Sequence, residues 1–307
     1  MGSVAADPAD AGKMTNRAKA VFSIVASAFG FALMAVFVRL CDGYGEEISS
    51  FQKGFFRNFI AFAIAAAVFC RGAEARRGKN LLGGWRPAAV LLLRSAIGTV
   101  GIFANFYALG KIPISDAQTL NKTAPFFTVL FAWIFLGERM TRRQTAAIAA
   151  AIAGVLLVAK PGFECVDGFA VSMGLLGGIA AGGAYACLRK LGIYKLDGAF
   201  IVLFFSAFSC LASVPFIVAG FTPMTAAQVW ILIGAGAGAA LGQFGITAAY
   251  RFAAPGSIAV FDYTNIIFTA ALGFLFFAQI PDLWSVLGYA AIILAAVSMS
   301  GSKKEKK

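Results

Sequence analysis

The sequence predicts an all-α integral membrane protein, with ten transmembrane helices arranged as two inverted five-helix repeats. Three observations lead there. Hydrophobic residues make up 60% of the 307 and charged residues only 13%, about half the charge of a typical soluble domain, and the mean hydropathy is +0.82. The apolar residues fall into ten runs separated by short polar or charged stretches. The stretch 256–278 aligns onto the one that begins at Ser115 without a gap at an offset of 141 residues, a weak repeat in which most positions differ: Thr123 falls on Thr264, Phe127 on Phe268, Thr128 on Thr269 and Phe135 on Phe276, with Gly101 on Gly242 and Ile152 on Ile293 in neighbouring runs. A fixed offset across several hydrophobic segments marks an internal repeat.

Taken in order, residues 1–17 are a small, polar cytoplasmic tail, with 1–16 read as disordered. The first apolar run, 18–40, follows a basic start, but it exceeds the roughly 7–15 residues of a signal-peptide core and more spans follow, so it reads as a retained helix. The next runs are 48–70, 87–110, 115–136 and 144–159, closing a first repeat over 18–160. An external linker, 161–168, leads to the second repeat over 169–301, with runs 169–188, 199–220, 226–250, 256–278 and 284–300. Residues 302–307 form a basic cytoplasmic tail. Run 115–136 is the organising stretch. At 22 residues it is about 33 Å long as one continuous helix, enough to cross the hydrocarbon core, with Ser115 and Asp116 placed to cap its start.

Charge placement sets the orientation. Arg17, Lys19, Arg71, Arg76, Arg77, Lys79, Arg139, Arg142, Arg143, Arg189, Lys190, Lys195, Arg251 and the terminal lysines share one set of helix ends; the opposite ends hold Arg39, Lys53, Lys111 and Lys160. Basic loops stay in the cytoplasm, which puts both termini inside and the acidic loop 42–47 outside. The same placement accounts for the net charge of +12 without a nucleic-acid partner. Five helices per repeat require the second repeat to insert upside down, the plan of many secondary transporters whose site lies at mid-membrane between repeats. Gly174, Gly178 and Gly182, and likewise Gly234, Gly238 and Gly242, recur every four residues and permit close helix contacts.

Several chemistries lack their parts. The chain has no histidine, its five cysteines are scattered, and it contains no P-loop, HExxH or nucleophile elbow. No metal or other cofactor is expected. The loose glycine fingerprint at 234–239 lies inside an apolar run, and the Asn121-Lys122-Thr123 glycosylation match lies inside a span.

Four motif carriers resemble a known family: Phe-Phe-Arg-Asn at 55–58, Leu93-Arg94-Ser95, Ala124-Pro125, and Leu136-Gly137-Glu138-Arg139 before a short Ala-rich helix. On these, and over about residues 18–300, the chain resembles the drug/metabolite transporter superfamily, specifically its ten-helix EamA-type members. It departs from the pattern at Ala278-Gln279 and Ile266, which stand where a Gly-Glu and a proline would echo the first half. The resemblance implies transport of a small metabolite, a bacterial inner-membrane location, and a central cavity lined by helices 3, 4, 8 and 9.

Ionisable groups inside spans cost about 2.5–3.5 kcal/mol each at a helix centre, so each needs an account. Lys122 and Asp262 fall on helices that the resemblance assigns to the cavity, and are expected to carry substrate and a coupling proton. Arg57, midway along the second span, is read either as a structural pair with a carbonyl or Asp262, or as a substrate contact. Arg94 is read as snorkelling to the inner interface. Asn121, Tyr263, Asn105 and Gln243 are expected to add hydrogen bonds at the site; Tyr107, Gln118, Thr264 and Asn265 are further candidates. By depth, Lys122 lies in the outer third and Asp262 in the inner third, so no direct ion pair between them is expected. The expected partners are a small-molecule solute, a coupled proton and the lipid bilayer; the sequence gives no oligomeric state. The competing readings are a membrane-embedded enzyme and a structural or signalling polytopic protein.

Overall fold

The computed structural model describes residues 8–72, 81–136, 142–159, 167–252 and 261–300. Among these residues all regular structure is helical. A chain of this hydropathy in lipid must satisfy its backbone polar groups internally, and helices do so segment by segment. We number the helices α1 (Pro8–Leu40), α2 (Ser50–Arg71), α3 (Trp85–Lys111), α4 (Ile114–Asn121), α5 (Ala124–Leu136), α6 (Arg142–Ala159), α7 (Gly168–Ile193), α8 (Gly198–Ala219), α9 (Ala226–Phe252), α10 (Thr264–Phe277) and α11 (Leu283–Ser300). Six of them, α1, α2, α3, α7, α8 and α9, contain segments long and apolar enough to cross a membrane. Phe22, Phe135, Leu211, Val218 and Ile280 stand on the outside of the bundle, as a lipid-facing surface requires. This is a multi-pass integral membrane protein.

Polar side chains fix the helix starts. Ser49 accepts from the Gln52 amide, Asp167 from Ala170, Asp197 from Phe200 and Asp282 from Ser285. Thr225 and Gln228 form a reciprocal capping box at the start of α9. The Gln228 amide also holds the carbonyls of Cys41 and Glu46, strapping the acidic loop to α9.

Three sequence expectations fail here. The 115–136 run is not one helix: α4 ends at Asn121, Lys122 and Thr123 form a turn, and α5 begins at Ala124. Pro125 has no N–H for the carbonyl four residues back, and its ring crowds that carbonyl. The Thr123 hydroxyl meanwhile bonds the Leu120 carbonyl, competing with the helical ladder. Ser115 and Asp116 do not cap α4, whose N-cap is Pro113; Asp116 is instead buried and accepts from the Tyr289 hydroxyl at 2.6 Å. Finally, α1 begins at Pro8, so 8–16 is helix rather than disordered tail; a proline is well tolerated in a first helical turn.

The helices pair in a definite pattern. The closest-packed pairs are α1 with α9, α3 with α7, α2 with α8, and α6 with α11; α5 and α4 lie on α7, α10 lies on α1, and α4 meets α10. The glycine series set these approaches. A Cβ on Gly178 would overlap the Thr123 hydroxyl and sit 2.6 Å from the Leu120 carbonyl, so α7 carries the α4–α5 turn at backbone contact. On the other pair, a Cβ on Gly238 would lie 2.9 Å from the Gly30 carbonyl, and one on Gly30 would lie 2.8 Å from the Gly238 carbonyl. Both glycines therefore sit at close helix contacts, as their spacing predicts.

Candidate functional site

The break in the fourth run delivers Lys122 to the interior. Lys122 is the C-cap residue of α4, where the helix leaves carbonyls unpaired and a positive side chain is favoured. A matching break occurs at Tyr263: residues 261 and 262 are helical, Tyr263 is a turn, and α10 begins at Thr264. Here too a threonine bonds the carbonyl three residues back, Thr264 to Phe261 at 2.7 Å, as Thr123 does to Leu120 at 2.7 Å. One turn on, Thr128 bonds Ala124 and Thr269 bonds Asn265, again at positions 141 residues apart.

At the meeting of the two breaks, Lys122 Nζ donates to Asp262 Oδ2 at 2.8 Å, with both side chains buried. Lys122 and Asp262 thus form the direct ion pair not expected from their depths, because both runs are broken rather than straight and a lysine at a helix end reaches across. Asp262 Oδ1 has no hydrogen-bond partner among the described residues. Tyr263 is buried beside the pair, its ring 6.3 Å from that of Phe126. Asn121 and Asn105 both flank the bare backbone of Gly177, and the Asn105 side-chain Oδ1 is buried without a partner among the described residues. Gln243 is half-buried on α9.

Arg57 lies in a separate group, between α2, α3, α7 and α8. Its guanidinium donates to Asn58 Oδ1 at 2.8 Å, and Asn58 in turn holds the Gly54 carbonyl and the Ser209 hydroxyl. Arg57 pairs neither with a main-chain carbonyl nor with Asp262. Arg94 does not snorkel: it is 4% exposed, and its guanidinium lies 3.7 Å from the centre of the Phe205 ring, a cation–π contact. Tyr185, which the sequence does not single out, interacts electrostatically with Asp262, Arg57 and Arg94. The available signal was that it interrupts the run of glycine and alanine in α7.

A cavity of about 840 Å³ opens between α2, α3, α7 and α8 at the end where the acidic loop lies. Its wall is mostly aromatic and aliphatic, with Phe103, Tyr107, Phe208 and Phe216 prominent; Lys53, Glu47 and Thr99 are among its polar groups. None of Lys122, Asp262, Arg57, Asn121, Tyr263, Asn105 and Gln243 lines it. At its rim, Lys53 pairs with Asp42 at 2.6 Å and Lys111 with Glu47 at 2.7 Å, while Arg39 donates to the last carbonyls of α3, Leu109 and Gly110. The Lys111 hydrogen bond holds the Glu47 carboxyl below its ordinary pKa.

Discontinuous helices that meet inside an all-helical membrane bundle are a feature of transporters, and comparison with known proteins agrees. Residues 18–160 match the EamA-like transporter family. Over 217 residues, 70% of this chain and 76% of the relative, the sequence is 32% identical to the pseudopaline exporter of Pseudomonas aeruginosa. The chain belongs to the EamA-like transporter family. It is also 29% identical over 274 residues to an uncharacterized transporter of Helicobacter pylori, covering 87% of this chain and 89% of that one. A riboflavin transporter of Rhizobium johnstonii is 27% identical over 70% of the chain and 72% of its own length. A solved crystal structure superposes with a TM-score of 0.60 at 17% identity, over 89% of this chain and 95% of its own, a likeness of fold.

Proposed function

We propose that this protein is a secondary transporter that moves a small polar or zwitterionic metabolite across the cytoplasmic membrane by alternating access, and that it does no covalent chemistry. The reading takes the chain as ten spans in two inverted repeats, 18–160 and 169–301, with a linker at 161–168 and both termini cytoplasmic. The paired helix breaks and the threonine bonds that recur at an offset of 141 residues support it. So does the packing: applying the offset turns α1–α9 into α7–α3 and α1–α10 into α7–α5, and maps α2–α8 and α6–α11 onto themselves.

The observation that carries the function is the buried Lys122–Asp262 ion pair at the junction of the two broken helices. A buried pair opens only if both charges find new partners. A zwitterion meets that condition charge for charge, its carboxylate on Lys122 and its ammonium on Asp262. A proton on Asp262 with an anion on Lys122 meets it too, and would couple transport to a proton gradient. Asn121, Tyr263, Asn105 and Gln243 would hydrogen-bond the solute in the opened site, with Arg57 a further contact. The names of relatives, exporters and a vitamin transporter among them, favour a small organic solute.

Flux into proteoliposomes, with and without a proton gradient, tests this. Solute should move, faster with a gradient if Asp262 carries the proton, and Asp262→Asn should flatten the pH dependence. Absence of flux across a broad metabolite panel, with correctly folded protein, would sink the transport reading.

A further inference from the structure

We propose that Arg57 and Arg94 form an anion-binding subsite one helical turn below the 840 Å³ cavity, taking the carboxylate of a solute whose apolar body fills the cavity. The proposal rests on the transport reading for what the bound solute is for, but not for the binding itself.

The first argument is charge. Both side chains are nearly fully buried, at 3% and 4% exposure. Among the described residues no carboxylate forms an ion pair with either, and they lie near enough for their charges to repel. Besides each other, the titratable groups with which they interact are Tyr185, Cys187 and Cys210, none of them an anion at neutral pH. Two buried like charges without a counter-charge are costly.

The second argument is the hydrogen-bond balance. Arg57 Nε, Arg94 Nε and Nη1, and the hydroxyls of Thr99 and Ser206 are buried without a partner among the described residues. Every one of these atoms can donate. They come from three helices that wall the cavity, α2, α3 and α8. A carboxylate is acceptor-only, with room for several donors, and planar guanidinium forks fit it.

The third argument is position. Lys53 lines the cavity, and Arg57 follows it by four residues on the same face of α2. Ala96 and Thr99 line it, and Arg94 lies just beyond them along α3. Phe208 lines it, and Phe205, whose ring carries the Arg94 guanidinium, is one turn deeper on α8. The aromatic wall above would accept an apolar body that a solute of pure charge lacks.

The test uses the full-length protein in detergent, with 4-phenylbutyrate as the probe and its uncharged amide as control. The acid should raise the Tm saturably and the amide should not. Arg57→Gln and Arg94→Gln should each weaken the apparent affinity for the acid by roughly tenfold or more, and Arg94→Lys should weaken it less. Equal effects of acid and amide, no effect of either, or folded Gln variants that bind as well as the unaltered protein would each overturn the subsite. The acid–amide comparison needs no variant, so it decides even if a substitution fails to fold. Flux is read separately in proteoliposomes. Arginine-dependent acid binding without flux of any solute retires the transport reading and keeps the subsite. Flux that Arg57→Gln and Arg94→Gln leave intact, with no acid-specific binding, does the reverse.

Discussion

At the scale of single residues, two salt bridges of similar length predict opposite sensitivities. Lys122 and Asp262 are buried together, so removing one partner strands a charge. Lys122→Ala and Asp262→Ala should each lower unfolding free energy by about 3–5 kcal/mol, while Lys122→Met combined with Asp262→Leu should recover most of it. Denaturation of the three variants measures this, and the proposed function requires the double variant to fold without transporting. Normal flux in the double variant would make the pair structural. Lys111 and Glu47 form an exposed pair at the cavity rim, where Glu47→Gln should change stability by less than about 1 kcal/mol. Because the Glu47 pKa is lowered on folding, that small contribution is present above the ordinary glutamate range and is lost as the pH falls through the lowered value. Unfolding of both forms at neutral and acid pH reads it. Residue identity let the sequence single out Lys122, Asp262 and Arg57, since a charge in an apolar run is conspicuous. It could not give their partners. The Lys122 contact depends on a helix break, and the burial of Arg94 depends on the Phe205 ring from a distant span.

At the scale of elements, the turn at Lys122-Thr123 and the glycine face that receives it act as one unit. Gly178→Leu should drive a side chain into the Thr123 turn, and Gly238→Leu should push α9 off α1. Overpacking of this kind costs about 1–3 kcal/mol or more, so both variants should show reduced folded yield and a lower Tm. Ile231→Leu, on α9 but off the glycine series, should do much less. Equal tolerance at all three would contradict the close approaches. Spacing alone made these glycines legible, because a four-residue period marks one helix face. The break itself was half legible: Pro125 was in plain view, yet the apolar run around it continues long enough to read as one span. The second break has no proline, Ile266 standing at the equivalent place, so composition gives it no marker.

At the scale of the whole molecule, the proposed topology puts the acidic loop outside and the Lys190–Lys195 turn inside. With the native cysteines replaced, Gly43→Cys should label in intact cells and Gly192→Cys only after the membrane is opened; both positions have open space for a side chain. Labelling of position 192 from outside would reverse the orientation. That the chain is an all-helical integral membrane protein was legible throughout, since hydropathy reports directly on the bilayer. The pairing of helices was not, because lipid and protein faces share one apolar alphabet. That pairing has a consequence for how the chain is made. Among the described residues, every extensive helix contact joins a helix before residue 160 to one after 167, and the second five runs scarcely touch one another. Residues 18–160, which match the family model by themselves, are thus not a unit of assembly. When they leave the ribosome, the faces that will meet α7, α8, α9 and α11 front lipid or an insertion chaperone until the later spans arrive. A gene severed in the linker should yield two fragments that are each degraded when expressed alone and that recover a stable, folded complex when expressed together.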